Sequence, residues 1–393
     1  MNALPDAAWL NLLIEALQTL QLQLLRLLDA LGLVAHAHGQ PAWPWAERLS
    51  GENLLIDLGQ ARRLGVSVVL LGLSLLVLVV ALLWRRRRIW LLGAAVLPVV
   101  LAPWPDAHVV LVPAHPTSFQ QHAEGFSAES IARGRMLYAQ NCVACHGSDG
   151  RGQGPLAASQ PVWPPNLAGP LLWRRADGDL LWRVLHGTRD RHGAQTMPGF
   201  QGRLSESDAW ALIDFMKAQA AGESLRVAGV WAQPVSPPDM AVRCDGKPVR
   251  MLSNWRGQRM RIVAAGDNAS ALLEDPRLVT VLLEPRPGLA SNVDERSIAC
   301  VADSPAAWEA FSLIAATEKL EGTQLLVDRQ GWLRARGEPG KSAWSDDDLL
   351  CRAETASGTT TVPAAAAAAD GLGALIARMD AQPVRFVKGG FVH

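Results

Sequence analysis

Cys142 and Cys145 lie three residues apart, and His146 follows the second at once, inside YAQNCVACHGSDGRGQGP. This is the spacing that attaches a c-type haem. Each sulfur forms a thioether to one vinyl of the porphyrin, and one helical turn between them matches the vinyl separation. The next residue then carries its imidazole to the iron as proximal ligand. Two thiols so spaced could also make half a zinc site or a redox dithiol. Zinc needs a second ligand pair at similar spacing, and no other CxxC occurs in the 393 residues. The pattern indicates one covalent haem c on Cys142 and Cys145, with His146 on the iron.

A sixth ligand is sought downstream. Met197 stands before Pro198 in GAQTMPGF, and His186, His192 and Met216 are its rivals. Met216 alternates with apolar neighbours on a helix and reads as core, while the two histidines read as solvated loop residues. A thioether is a soft neutral ligand that favours Fe(II) and raises the potential relative to a second histidine. Over residues 126–222 the chain resembles class I c-type cytochromes, which implies an all-α domain. The resemblance makes SAESIARGRMLYAQNC the helix leading into the haem motif and ESDAWALIDFMKAQ the helix that crosses it. It makes Pro155 the proline whose carbonyl fixes the His146 tautomer, and Met197 the distal ligand. Gly134 and Tyr138, four apart, share a helix face, and the resemblance packs that face against Trp210 or Phe215.

The remaining composition limits what else the chain does. Net charge is zero and 49% of residues are hydrophobic, which argues against nucleic acid as a partner. The bacterial haem is attached outside the inner membrane, so the haem domain must be exported, and no cleavable signal peptide is evident. Residues 64–84, LGVSVVLLGLSLLVLVVALLW, carry no charge, and about twenty residues at ~1.5 Å each cross a bilayer core. Arg85 to Arg88 follow, then a second apolar run, 89–104, interrupted by Pro98 and Pro103. Four arginines between two spans put that loop in the cytoplasm and the chain after residue 112 in the periplasm. Residues 7–35 read as an amphipathic helix, with Asn11, Glu15, Gln18, Arg26 and Asp29 on one stripe. It lies in the membrane interface or against partner helices. His36, His38, His108, His115 and His122 read as solvated loop histidines, with a copper site as the rival reading.

After the Pro-rich stretch VWAQPVSPPDM the pattern changes to strands, a helix at SPAAWEAFSLIAA and a hairpin at GTQLLVDRQGWLRAR. DGKPVRMLSNWRGQ and LLVDRQGWLR resemble the thioredoxin-like fold, in its branch with Sco-type copper chaperones. That branch places a thiol pair after the first core strand. Here the strand ends at Gly266 and runs into Asp267-Asn268-Ala269-Ser270, and Gly322 stands where a cis-proline is expected. Disulfide exchange has no nucleophile there. Two of Cys244, Cys300 and Cys351 are candidates for a structural disulfide, with the pairing open.

These readings give a multidomain chain. Residues 1–112 form a membrane anchor, 113–125 a linker, 126–222 the cytochrome domain, 223–240 a Pro-rich linker, and 241–393 a degenerate thioredoxin-like α/β domain with an Ala-rich segment. The expected activity is single-electron transfer to or from a respiratory complex such as a terminal oxidase, by a carrier rather than an enzyme. The alternative is an assembly or copper-handling factor for such an oxidase, docked through its thioredoxin-like domain.

Overall fold

The computed structural model describes residues 8–51, 53–54, 57–169, 172, 175–266, 275–286, 300–339, 343–351 and 371–384. The chain divides into two compact units, one running to Ser118 and the other beginning at Phe119.

The first unit is built on helices α1 (Ala8–Ala30), α2 (Leu58–Leu83) and α3 (Arg88–Leu101). Gly59–Leu83 is the one candidate span among the described residues. At ~1.5 Å per residue, α3 covers only about 21 Å, less than a bilayer core. The expected second span is therefore shorter as a helix than its apolar run, and Pro98 lies inside it. The two helices still form a hairpin. Ser74 Oγ donates to Ala95 O at 2.5 Å across it. At its open end Gln60 Nε2 donates to Asp106 Oδ2 and Asp106 N to Gln60 Oε1. Strands β1 (Glu47–Leu49) and β2 (Leu111–Pro113) pair antiparallel there. The chain thus enters and leaves at one end, and the arginines occupy the other.

In α1 the buried positions Ile14, Gln21 and Leu25 fall on one face. Gln21 pairs with Leu49 through both its side-chain oxygen and nitrogen, at 2.8 and 2.9 Å. Leu12, Leu20, Leu24 and Leu27 remain exposed along the helix, an apolar face of the kind that lies in an interface or meets a partner helix.

The second unit joins what the sequence separates. Its helices are α4 (Ala128–Asn141), α5 (Asp177–His186), α6 (Glu206–Ala228), α7 (Pro305–Ile314) and α8 (Gly371–Ala381). A two-strand hairpin, β3 (Thr188–Arg189) and β4 (Gln195–Met197), precedes α6. Seven further described strands follow: β5 (Ala241–Cys244), β6 (Arg250–Met251), β7 (Met260–Ala264), β8 (Val279–Glu284), β9 (Cys300–Asp303), β10 (Gln324–Val327) and β11 (Leu333–Gly337). They form one sheet in the order β11-β10-β7-β8-β9-β5-β6. Strands β7, β8 and β9 are parallel, and the β10–β11 hairpin runs antiparallel to β7. This is the strand, helix, hairpin sequence expected of the C-terminal third. Gly322 donates its N–H to Ala264 O at the end of β7. Asp267 to Ser270, and the Ala-rich segment 355–370, lie outside the described residues.

The 223–240 stretch is not a linker. Helix α6 continues to Ala228, and Trp231, Val235 and Met240 are each 2% exposed or less. Trp231 Nε1 donates to Ile314 O at the end of α7. Helix α7 lies on both α4 and α6, where a Cβ on Gly222 would sit 2.0 Å from Leu313 O. The Ala128 N–H bonds Asp239 O, and the Asp239 N–H bonds Phe126 O. One apolar core runs from Ala128 to Val384. The prolines that suggest a linker are compatible with a buried extended segment, because a proline has no N–H to satisfy. The 113–125 linker likewise shortens, since residues from Phe119 belong to this unit.

Cys244 and Cys300 are directly paired on β5 and β9 and joined by a disulfide. Cys351 is a buried free thiol, pushed up to about 11 by burial. Beside it Arg334, fully buried, donates to Asp328 Oδ2 at 3.0 Å and to the carbonyls of Cys351 and Gln382, both at 2.9 Å. It ties β11 to the segment after α8. Arg334→Met would leave the Asp328 carboxylate buried without its partner, at a cost of about 3–5 kcal/mol. The expected result is a markedly lower urea midpoint, partly restored by adding Asp328→Asn.

Candidate haem site

Helix α4 starts at Ser127, whose side chain accepts from Ser130 N, and delivers Cys142 at its end. Cys142 O accepts the N–H groups of Cys145 and His146, so Val143–His146 is one further helical turn. A turn that ends in the interior must satisfy its last carbonyls. The following loop does so: Leu156 N donates to Ala144 O, Gly154 N to Cys145 O and Gly152 N to His146 O, at 2.8–3.1 Å. A Cβ on Gly154 would lie 2.5 Å from the carbonyl oxygens of Val143 and Ala144, which is why glycine stands there. The glycine cluster of GRGQG is thus a clasp around the motif.

His146 is 8% exposed, and its Nδ1 is buried without a hydrogen bond of full geometry. Burial pulls its pKa below the ordinary value, opposed by the backbone of Pro165. Pro155, the proline expected beside the ring, is exposed and directly precedes Leu156. Because the 152–156 loop is used in clasping the turn, the chain returns to the ring only at Pro164–Pro165, against which Gly152 packs. Cys142 and Cys145 are free thiols, and burial together with the Cys145 neighbour pushes Cys142 up to about 12. An imidazole with a buried Nδ1, next to Cys145 and four residues from Cys142, fits covalent haem attachment and proximal ligation.

Tyr138 Oη donates to Gly147 O at 3.0 Å, bracing the far end of the turn. Its ring meets Phe215 at 5.2 Å between centroids, so of the two expected aromatics Phe215 fills that place.

Met197, half-buried, ends β4 opposite Thr188. The residues after it strap back onto α5, where Phe200 N bonds Val184 O and Gln201 N bonds Leu185 O. Gly187 takes a φ of +74°, and a Cβ there would lie 2.4 Å from Met197 O. His186 is exposed and its ring lies 3.7 Å from that of Trp182. His192 sits at the exposed hairpin tip, and Met216 is 7% exposed in the core.

One group escaped sequence reading. His122, read as a solvated loop histidine, is half-buried with Nδ1 2.9 Å from Asp214 Oδ2, which also accepts from Ser130 Oγ at 2.7 Å. Its ring stacks on Trp210. An aspartate in the middle of the apolar α6 run was the available signal, since such a carboxylate needs a partner. No group of three or more His, Cys, Asp or Glu suited to a metal occurs among the described residues.

Helices clasping a CxxCH turn define a c-type cytochrome domain. Residues 129–216 match the family described as cytochrome c oxidase, cbb3-type, subunit III, and form a cytochrome c domain of that type. A thiosulfate dehydrogenase of Stutzerimonas stutzeri is 35% identical over 92 residues, 22% of this chain and 27% of that protein. The cbb3-type cytochrome c oxidase subunit CcoP of Cereibacter sphaeroides is 32% identical over 106 residues, 27% of this chain and 32% of the relative. Subunit FixP of Bradyrhizobium diazoefficiens is 29% identical over 92 residues, 23% of this chain and 28% of the relative. The similarity takes in less than a third of each relative's length. Among solved structures, an exposed lipoprotein thioredoxin of Streptococcus pneumoniae overlaps 28% of this chain and 94% of its own, at 14% identity and a TM-score of 0.21. So slight an overlap carries no argument, and the fold of the sheet rests on its strand order.

Burial lowers the pKa of His122, but the hydrogen bond and charge of Asp214, with Glu124 and the backbone of Gly125, outweigh it and raise the value above 6.5. A raised folded value means that the pair stabilises fully below the unfolded pKa and fades as pH climbs through the folded one. The Tm gap between the native chain and His122→Gln should be wide near about pH 5.5 and narrow by about pH 8.5. An equal gap at both would remove the charged pair as its cause.

Proposed function

We propose that the protein is a membrane-anchored periplasmic cytochrome that passes single electrons to or from a respiratory membrane complex, such as a terminal oxidase. The observation that carries this reading is the clasped CxxCH turn with its buried, neutral His146. Haem c, when bound, supplies the one-electron Fe(III)/Fe(II) couple. Cys142 and Cys145 would tether it, and His146 and Met197 would hold the iron. The Pro165 backbone orients the imidazole, and the strap over α5 keeps Met197 in place, so that little rearranges when the charge changes. A cytochrome c domain shared with cbb3-type oxidase subunits supports a partner of that class.

Compartment and topology rest on independent features. A Cys244–Cys300 disulfide fits an oxidising compartment. The hairpin of α2 and α3, open at the Gln60–Asp106 end and tipped by Arg85 to Arg88, fits the arginines in the cytoplasm and both flanking segments outside. The copper-handling alternative loses its soft ligands. Two of the three cysteines outside the haem motif are in the disulfide, and the thiol of Cys351 is buried and pushed up to about 11 by that burial. The thiosulfate dehydrogenase relative keeps an enzymatic role in view, but Met197 as iron ligand would occupy the position that a substrate would need.

Two measurements test this. The ferric protein should show the weak thioether-to-iron charge-transfer band, and Met197→Ala should abolish it while the covalent haem remains; a band insensitive to that change removes Met197 as ligand. Reporter fusions after residue 125 should be active with a periplasmic enzyme, and activity of a cytoplasmic reporter there would overturn the topology.

A further inference from the structure

A cavity of about 370 Å³ lies in the second unit, where the loop after the haem motif meets the end of α6. The loop contributes Arg151 and Asn166; α6 and the segment after it contribute Ala221, Trp231 and Val235. The loop wall belongs to the haem site. Gly152, next to Arg151, donates to His146 O, and Asn166 follows Pro165, whose backbone acts on the His146 ring. The charges around the cavity are already matched. Arg151 Nε donates to Glu223 Oε1 at 2.7 Å, Arg226 pairs with the other oxygen of that carboxylate, and Asp149 lies 3.6 Å from Arg151. Ser224 Oγ donates to Val230 O at 2.9 Å and accepts the Ala232 N–H at 3.0 Å, and Asn166 Oδ1 accepts the Ala168 N–H at 2.9 Å. Gln233, which also lines the cavity, differs. It is 6% exposed, and its Oε1 is buried with no hydrogen-bond partner among the described residues.

We propose that this cavity binds a small uncharged apolar molecule carrying a hydroxyl group, an alcohol or a phenol, whose O–H donates to Gln233 Oε1. Two arginines stand against two carboxylates at its edge, so an ion would find no unspent opposite charge to offset its desolvation. Alanine, valine and tryptophan side chains suit a hydrocarbon body, in a space of the size that small ligands occupy. The buried acceptor then sets the choice among apolar molecules. A ligand with a donor satisfies it, and one without a donor leaves it unmet at a cost. A bound molecule would touch both the loop that clasps the CxxCH turn and the segment that joins α6 to the sheet. The cavity is thus a site at the back of the haem domain, separate from the residues that would hold the iron.

The test titrates the full chain in detergent with 4-fluorophenol and with fluorobenzene, which differ only in the hydroxyl, and reads binding by fluorine NMR. Native and variant chains are measured in the same detergent, so partition of the probes into micelles cancels. The native chain should bind 4-fluorophenol saturably, one per chain, and fluorobenzene about tenfold more weakly, because the second probe leaves Gln233 Oε1 unmet. Gln233→Met keeps the length of the side chain and removes the acceptor, so the two probes should then bind alike. Val227→Trp, at an exposed position that lines the cavity, should weaken both by filling the space. An unchanged circular dichroism spectrum reports intact folding in each variant. A preference for the phenol that survives Gln233→Met would overturn the proposal. So would binding that Val227→Trp leaves unchanged, which places the probe elsewhere on the chain. Equal affinity of the native chain for both probes, or no saturable binding of either, would also overturn it and leave water as the partner of Gln233.

Discussion

The crossing of α4 and α6 at Gly134 sets the geometry on which the haem site depends. A Cβ at that position would lie 1.9 Å from Ala211 O and 2.8 Å from Phe215 Cβ, so only glycine lets the two helices approach so closely. One turn further along α4, that approach presents Tyr138 to Phe215, and Tyr138 in turn holds Gly147 at the end of the CxxCH turn. His146 therefore inherits its place from a contact twelve residues upstream. On the same two helices, Asp214 gathers His122 and Ser130, and α7 packs alongside. The haem motif gives the chemistry, and the crossing gives it a fixed position.

Much of this was legible because covalent chemistry leaves strict spacing in a sequence. The spacing of the two cysteines and the histidine, and the shared face of Gly134 and Tyr138, follow from local geometry. What stayed hidden depends on where a loop goes after it leaves its element. The nearest proline after the glycine cluster looks like the ring's partner, yet Gly154 and Gly152 are committed to the carbonyls of Cys145 and His146, and Leu156 to that of Ala144. The ring must then wait for Pro165. His122 was equally opaque, since its partner lies 92 residues away.

The supposed linker shows a different limit. A closing cytochrome helix read alone should have a wet outer face, but α6 has buried residues on all sides from Ala209 to Leu225. A helix apolar around its whole circumference is one enclosed by neighbours. Ala218, Ala220, Ala221 and Gly222 are the trace of that enclosure in the sequence. Small residues let α7 approach until the backbone of Leu313 meets Gly222. Proline density and a change of pattern argued for a hinge, and packing against the sheet unit outweighed both.

A shared core changes what the C-terminal sheet can be for. A tethered docking module would need its own complete core and a boundary crossed by few contacts. Here Trp231 donates to the end of α7 while Asp239 pairs with the residues that begin α4. The sheet itself is reinforced where it meets this seam. The Cys244–Cys300 disulfide joins β5 to β9 a few residues from Asp239, and Ser253 bonds the Asp239 carboxylate from the other side. Each of these contacts fixes the start of α4 or the length of α6, the two helices whose crossing positions His146. The sheet therefore acts on the haem site as a brace, and its loss would act first on the packing of those helices.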